Sequence, residues 1–250
     1  MRKRLNVANL SPLYDKKFTC PVCDHNFVSK KLRSRFVKPI RTDSDFGPVF
    51  AKGDSNNPLF YYVAVCPECG FAFSEDFSTN ISQTSKQRVR EELSAKMEKT
   101  VDYGQERDFS QAVNTYKLAI YSGQLVRERH LVLAKLCHRL AWLYRGMEEV
   151  AEERRFLELA ASEFEQAYIN SDYDEEKVPE IQILYLVGAI NHKLGKYNEA
   201  VQFFAKVTEH ETRSRYTKYV NLARRQWKIA VDEYREARKE QDNPERNGEK

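Results

Sequence analysis

Two cysteine pairs of equal spacing, Cys20-Pro-Val-Cys23 and Cys66-Pro-Glu-Cys69-Gly70, constrain this chain more than any other feature. Two residues between cysteines let one tight turn aim both sulfurs at a single point. Two such turns supply four thiolates, enough to close a tetrahedral shell around one zinc ion. Pro after the first cysteine of each pair fixes φ, and Gly70 accepts the positive φ that such turns need. A closed four-sulfur shell has no position for substrate. The pattern therefore points to a structural metal held by Cys20, Cys23, Cys66 and Cys69.

Short β-favouring segments flank each pair: Lys17–Thr19 and Phe27-Val28 around the first, Tyr61–Val65 and Phe71–Phe73 around the second. A hairpin carrying a Cys-x-x-Cys knuckle, repeated once, is the zinc-ribbon arrangement. The 42 residues between Cys23 and Cys66 exceed the usual ribbon spacing, so this insertion must carry structure of its own. Iron in a rubredoxin-like site, a thiol redox pair and disulfides compete with zinc for the same residues. A redox pair wants a βαβ unit, and none is visible. His25 reads as a surface histidine of the knuckle. Asp43 and Asp45 could face a hard cation, but the Gly and Glu positions of a calcium loop are missing.

The insertion opens on a basic stretch from Lys30 to Arg41 with Lys31, Arg33, Arg35 and Lys38 and no acid. The alternation with Leu32, Ser34 and Phe36 predicts a strand with one wet face. Two uses are open for it: a phosphate-binding stripe of a nucleic-acid-binding protein, with nearby aromatics stacking on bases, or a solvated face balanced by Asp43 and Asp45.

From about Thr79 the periodicity turns helical, with Val89, Leu93 and Met97 on one stripe. A triad of small residue, aromatic and small residue then recurs as Ala112/Tyr116/Ala119, Ala160/Phe164/Ala167 and Ala200/Phe204/Val207. It is similar to the second helix of a tetratricopeptide (TPR) repeat. Leu184-x-x-Val187-Gly188 with Gly195-Lys196-Tyr197 supplies the matching first helix over residues 181–212, although Asn191 stands where the family usually has Tyr. Cys137-x-x-Leu140-Ala141-x-x-Tyr144 supplies an earlier one. Ala160 arrives seven residues late, which predicts a longer hairpin with Glu148, Glu149, Glu152 and Glu153 on its exposed part. Tyr216, Val220, Ala223, Trp227, Val231 and Tyr234 form the stripe of a capping helix. The tail from Gln241 is polar and predicted to be disordered.

The expected architecture is thus α+β. A small β-rich zinc-ribbon-like module (1–78) precedes an all-α TPR-like helical solenoid with its cap (79–240), and a tail (241–250) follows. The TPR resemblance implies a concave groove lined by Lys135, His138, Arg139, Trp142 and Arg145, then Gln182, Tyr185 and His192. Such a lining suits a protein or peptide partner, with a preference for acidic segments. A catalytic pair of His138 and His192 has less in its favour than two polar groove residues. Cys137 is expected in the core, with His138 turned to the groove.

Net charge +4 is too small to demand a nucleic-acid partner. No apolar run is long enough to span a membrane, and Met1–Arg4 lead into no apolar segment, so the chain reads as cytoplasmic. Its cysteines then stay reduced. The cysteine blocks, Thr42-Asp43-x-Asp45-Phe46 and Asn57-Pro58-Leu59-Phe60-Tyr61-Tyr62 together resemble an uncharacterised bacterial family, the domain-of-unknown-function family numbered 2225. Phe71 stands where its members often have Tyr. The resemblance implies a bacterial cytosolic protein and brings no activity. The reading is a non-enzymatic zinc-binding adaptor that works through the TPR-like groove. Nucleic-acid binding through the basic strand is its alternative, and a thiol or iron redox protein is the third.

Overall fold

A computed structural model describes residues 10–51, 56–96 and 101–242. Met97 of the first helix stripe and the tail from 243 lie outside the described residues. Among the described residues, small antiparallel strand pairs come first and seven α-helices follow, an α+β arrangement.

Strand β1 (Leu13–Thr19) pairs antiparallel with β2 (Asn26–Leu32), Phe18 opposite Phe27, and the first cysteine knuckle closes the hairpin. Two-residue strands β3 (Arg41–Thr42) and β4 (Pro48–Val49) form a second hairpin. β5 (Ala64–Val65) and β6 (Ala72–Phe73) flank the second knuckle. Two segments depart from the expected strands. The basic stretch is not one strand: β2 stops at Leu32, the Arg33 amide turns back to the Pro12 carbonyl at 2.9 Å, and a 3-10 turn covers Ser34–Phe36. Pro39 then interrupts the chain before β3. Tyr61 likewise belongs to a 3-10 turn, Pro58–Tyr61, which Asn57 caps by accepting from the Leu59 amide.

The helices are α1 (Gln83–Glu92), α2 (Phe109–Val126), α3 (His130–Gly146), α4 (Val150–Ile169), α5 (Glu180–Lys193), α6 (Tyr197–Glu209) and α7 (Thr217–Asp242). Their starts follow local chemistry. Ser82 caps α1, and Asp108 with Gln111 forms a reciprocal capping box on α2. Three-residue turns join α3 to α4 and α5 to α6, the second containing Gly195 at φ +74°. The late arrival of Ala160 has a simple cause: α4 starts two turns early, so the seven extra residues are helix rather than hairpin. Glu152 and Glu153 lie in its first turn.

The small residues of the triads mark close approaches. Ala112, Ala160 and Ala200 are fully buried beside Tyr116, Phe164 and Phe204. On α5, a Cβ at Gly188 would lie 2.7 Å from the Phe204 ring. One buried cluster runs from Cys20, Val22 and Phe71 through Tyr116 and Leu140 to Ile190, so the β-rich segment shares its core with the helices. A second cluster joins Tyr185, Phe204, Val220 and Ala223 of α5, α6 and α7. Buried Arg107 binds the two parts together, donating to the carbonyls of Phe60 (3.0 Å), Val63 (2.8 Å) and Tyr103. The Tyr116 hydroxyl donates to the Leu59 carbonyl at 3.0 Å.

Candidate metal centre and the docked acidic turn

The two knuckles repeat each other bond for bond. The Cys20 amide donates to the His25 carbonyl (2.9 Å) and the Asp24 amide to the Cys20 carbonyl (2.9 Å); the Cys66 amide donates to Phe71 (3.0 Å) and Gly70 to Cys66 (2.9 Å). The fifth residue of each is left-handed, Gly70 at φ 75° and Asp24 at φ 60°. Asp is one of the few residues with a side chain that tolerate this region, so Asp24 does in the first knuckle what Gly70 does in the second.

The knuckles bring Cys20, Cys23, Cys66 and Cys69 together, with all four sulfurs within 4.8 Å of one another. Cys20 and Cys69 lie 3.6 Å apart, as do Cys23 and Cys66. Sulfurs at 2.3 Å from a tetrahedral ion are about 3.8 Å apart, so this cluster can hold one metal ion with little movement. No pair is joined as a disulfide. Close packing couples the thiols: hydrogen bonding among them lowers the pKa of Cys66 and raises those of Cys20 and Cys69. Three of the cysteines are buried, and the helical part supports the site from behind, the Ser94 hydroxyl donating to the Cys69 carbonyl at 2.8 Å. His25 is exposed on the outside of its knuckle.

Four of the residues expected to line a groove, His138, Trp142, Arg145 and Tyr185, meet at a second site, and what they surround is a segment of the same chain. The turn between β3 and β4 inserts Asp45, fully buried, against α3. Its Oδ2 accepts from His138 Nε2 (3.2 Å), Trp142 Nε1 (3.1 Å) and Arg145 Nη2 (2.7 Å). Its Oδ1 accepts from Arg145 Nη1 (3.1 Å) and from the Gly47 amide (3.3 Å). Asp43 takes a further bond from Arg145 at 3.0 Å and lies 3.6 Å from Lys193. Glu153 of α4 holds Arg145 Nε at 2.6 Å. The Tyr185 hydroxyl donates to the Ser44 carbonyl at 2.7 Å, and Phe46, at φ 64°, packs on the Tyr185 ring. Gly47 is required by contact: a Cβ there would come within 2.9 Å of both Arg145 and Trp142.

Burial opposes a charge on Asp45, but the bonds from His138 and Arg145 outweigh it and hold its carboxyl well below the usual range. Burial lowers the His138 pKa despite Asp45, so a neutral imidazole donates to a carboxylate. His138 is as buried as Cys137, whose thiol burial pushes up to about 12; α3 is covered on both sides, so the expected division into core Cys and open groove His does not occur.

The remaining groove positions also meet partners of this chain. Lys135 pairs with Asp76 at 3.3 Å, and Arg139 stacks over Tyr62. Gln182 accepts from the Tyr219 hydroxyl at 2.6 Å, and His192 meets Glu233 at 2.8 Å. His138 and His192 thus serve separate acids. Of the basic stretch, Lys30 pairs with Asp15, Lys31 with Glu75, and Arg41 with Asp43. Arg33 stacks on Tyr14 and Arg35 on Phe36, while Lys38 is exposed. The docked turn escaped the sequence reading because Asp45 and Arg145 are 100 positions apart. The available signal was the acid pair Asp43 and Asp45 directly after a basic stretch.

Fold and site define a β-rich segment with a four-cysteine cluster able to hold a metal ion, its acidic hairpin seated against the helices. The chain belongs to the family described as an uncharacterized protein conserved in bacteria (DUF2225), whose model matches residues 13–230. Neither the curated proteins nor the solved structures yield a match. Among the described residues, no helix is long and apolar enough to cross a membrane.

Proposed function

We propose that this protein is a non-catalytic, zinc-stapled adaptor in which a TPR-like repeat domain (79–240) recognises an acidic segment. The observation that carries the reading is the Asp45 site. A Trp, a His and a doubly bonded Arg from one helix converge on one carboxylate, as a groove selective for acidic peptides requires. The metal's part is structural: four sulfurs complete its shell and no position remains for chemistry. Zinc suits four thiolates in a closed tetrahedral site without redox change. The turn at Asp43–Gly47 is then an internal ligand of the groove, and an acidic segment of a partner protein takes its place.

The test uses a labelled peptide with the sequence of residues 41–49. The Asp45→Asn protein, its own turn loosened, is expected to bind this peptide measurably by fluorescence anisotropy, and the wild type much less. Trp142→Ala/Arg145→Ala on the Asp45→Asn background is expected to abolish the binding. No uptake by Asp45→Asn, or uptake indifferent to Trp142 and Arg145, removes the groove reading. Elemental analysis of the purified chain, expected to give one zinc per chain, tests the metal separately.

A further inference from the structure

Among the described residues, a run of unpaired positive charge lies on α7 and the turn before it. From Thr212 to Val231 the chain carries Arg213, Arg215, Lys218, Arg224, Arg225 and Lys228 and no acid. That segment alone holds more positive charge than the net +4 of the whole chain. It comprises the turn before α7 and the first four turns of that helix, and all six basic residues are exposed. Helical spacing gathers Lys218, Arg225 and Lys228 on the outer face and sets Arg224 beside Lys228, about 6 Å along the axis.

Three nearby acids are engaged elsewhere, Glu233 with His192, Glu180 with His210 and Asp232 with Arg235, while Glu209 and Glu211 precede the segment. No ion pair among the described residues engages Lys218, Arg224, Arg225 or Lys228. The rings nearby serve the fold: Tyr216, Tyr219 and Trp227 pack against the buried cluster of α5, α6 and α7, while Arg215 lies over Tyr216 and Lys218 over Phe46 and Tyr219.

We infer that the outer face of α7 binds the phosphodiester backbone of nucleic acid. Exposed cations repeated along a rod, with no acid among them, match a polymer that presents a phosphate at every step. Arginine dominates the set, and its planar fork pairs with phosphate through two donors. A membrane surface fits less well, because a helix lying in a bilayer interface needs a free apolar face. The apolar face of α7, Val220, Ala223 and Ala230, is already buried in the fold. Apart from Lys218, which lies over Phe46 of the docked turn, this surface shares no residue with the Asp45 site or the Lys30–Arg41 stretch.

The experiment measures anisotropy of labelled single-stranded RNA and DNA 20-mers with the full, zinc-loaded chain. Four phosphate contacts give a log–log salt slope of about −2.8, so affinity should fall about 50-fold between 50 and 200 mM salt. Arg224→Ala/Lys228→Ala removes two contacts and should flatten the slope by about 1.4. These side chains are exposed, so an unchanged melting temperature is expected and confirms folding. Arg33→Ala/Lys38→Ala is expected to bind like wild type. Binding of RNA, DNA or both with this pattern supports the inference. It is overturned by no oligonucleotide binding at 50 mM salt, by binding indifferent to Arg224 and Lys228, or by tighter binding to phosphatidylserine vesicles or polyglutamate than to the oligonucleotides.

Discussion

Replacing Asp45 by Asn tests whether the acidic turn is a structural pivot or a surface decoration. The change keeps the volume and removes one charge. Five donors converge on the carboxylate, three on Oδ2 and two on Oδ1. An Asn offers one acceptor oxygen. Its best orientation places that oxygen among His138, Trp142 and Arg145 Nη2, which turns its own NH2 toward Arg145 Nη1 and the Gly47 amide. The Gly47 amide then loses its acceptor, Arg145 Nη1 is left with Asp43 alone, and Arg145 loses its buried counter-charge while keeping Asp43 and Glu153. Removing one partner of a buried ion pair costs about 3–5 kcal/mol. For a chain of this size that is a fall in melting temperature of about 6–20 °C. Asp43→Asn is the internal control, since that carboxylate is partly exposed and shared among Arg41, Arg145 and Lys193. It should cost about 1 kcal/mol or less. Calorimetry on zinc-loaded protein reads both. Equal losses for the two variants, or a loss under about 2 °C for Asp45→Asn, would refute the assignment of Asp45 as the anchor.

Other substitutions probe other links. Cys69→Ser opens the four-sulfur shell; it should abolish stoichiometric metal in elemental analysis and unfold the β-rich segment, read as lost amide dispersion for residues 13–32 in NMR spectra. Gly188→Ala places a methyl 2.7 Å from the Phe204 ring. Overpacking of about 1–3 kcal/mol should exceed the roughly 1 kcal/mol that Ala adds to helix propensity, and Phe204→Leu should rescue the variant in urea melts. His138 is buried neutral among Asp45, Arg139 and Arg145, with its pKa below the ordinary 6.5. The unfolded chain therefore binds this proton more readily, and stability falls as pH drops below about 6.5, by up to 1.4 kcal/mol per unit. Asp45, depressed below 3.8, stays ionised throughout that window and adds nothing to the slope. His138→Gln should flatten the melting temperature between pH 7 and 5, and an unchanged slope would remove His138 from the account.

What could be read from the sequence was local. A Cys-x-x-Cys turn is specified by four consecutive residues, and two copies sufficed to anticipate the cluster without knowing how they meet. The Ala/aromatic triads were legible because a small residue one turn from a ring is a packing instruction within a single helix. Asp24 was not, since only its place in a repeated hydrogen-bond pattern shows that it must adopt the conformation taken by Gly70. The basic stretch was read as continuous because its alternation is regular, whereas the backbone obeys the Arg33–Pro12 closure and Pro39. That Arg145 and His138 need an acid beside them follows from their chemistry, but that the acid is Asp45 does not, because pairing it with Arg145 requires the three-dimensional path of everything between them.

Metal and docked turn are coupled by the chain itself. Asp45 lies within the 42 residues that separate Cys23 from Cys66, so an ion on all four sulfurs clips both ends of the loop whose middle α3 grips. Closing a loop of that length removes about 4 kcal/mol of chain entropy from the unclipped ensemble. Part of that cost is already met when the turn is seated, and the seated turn is in turn easier to form when the ends are held. Linkage makes the effect reciprocal: loosening the turn must weaken metal retention even though no ligand has changed. Asp45→Asn should therefore lose metal to a competing chelator at a lower chelator concentration than Asp43→Asn or wild type, followed by a metallochromic dye. Equal retention in all three, with Asp45→Asn still less stable, would mean that the metal module and the acidic turn fold independently.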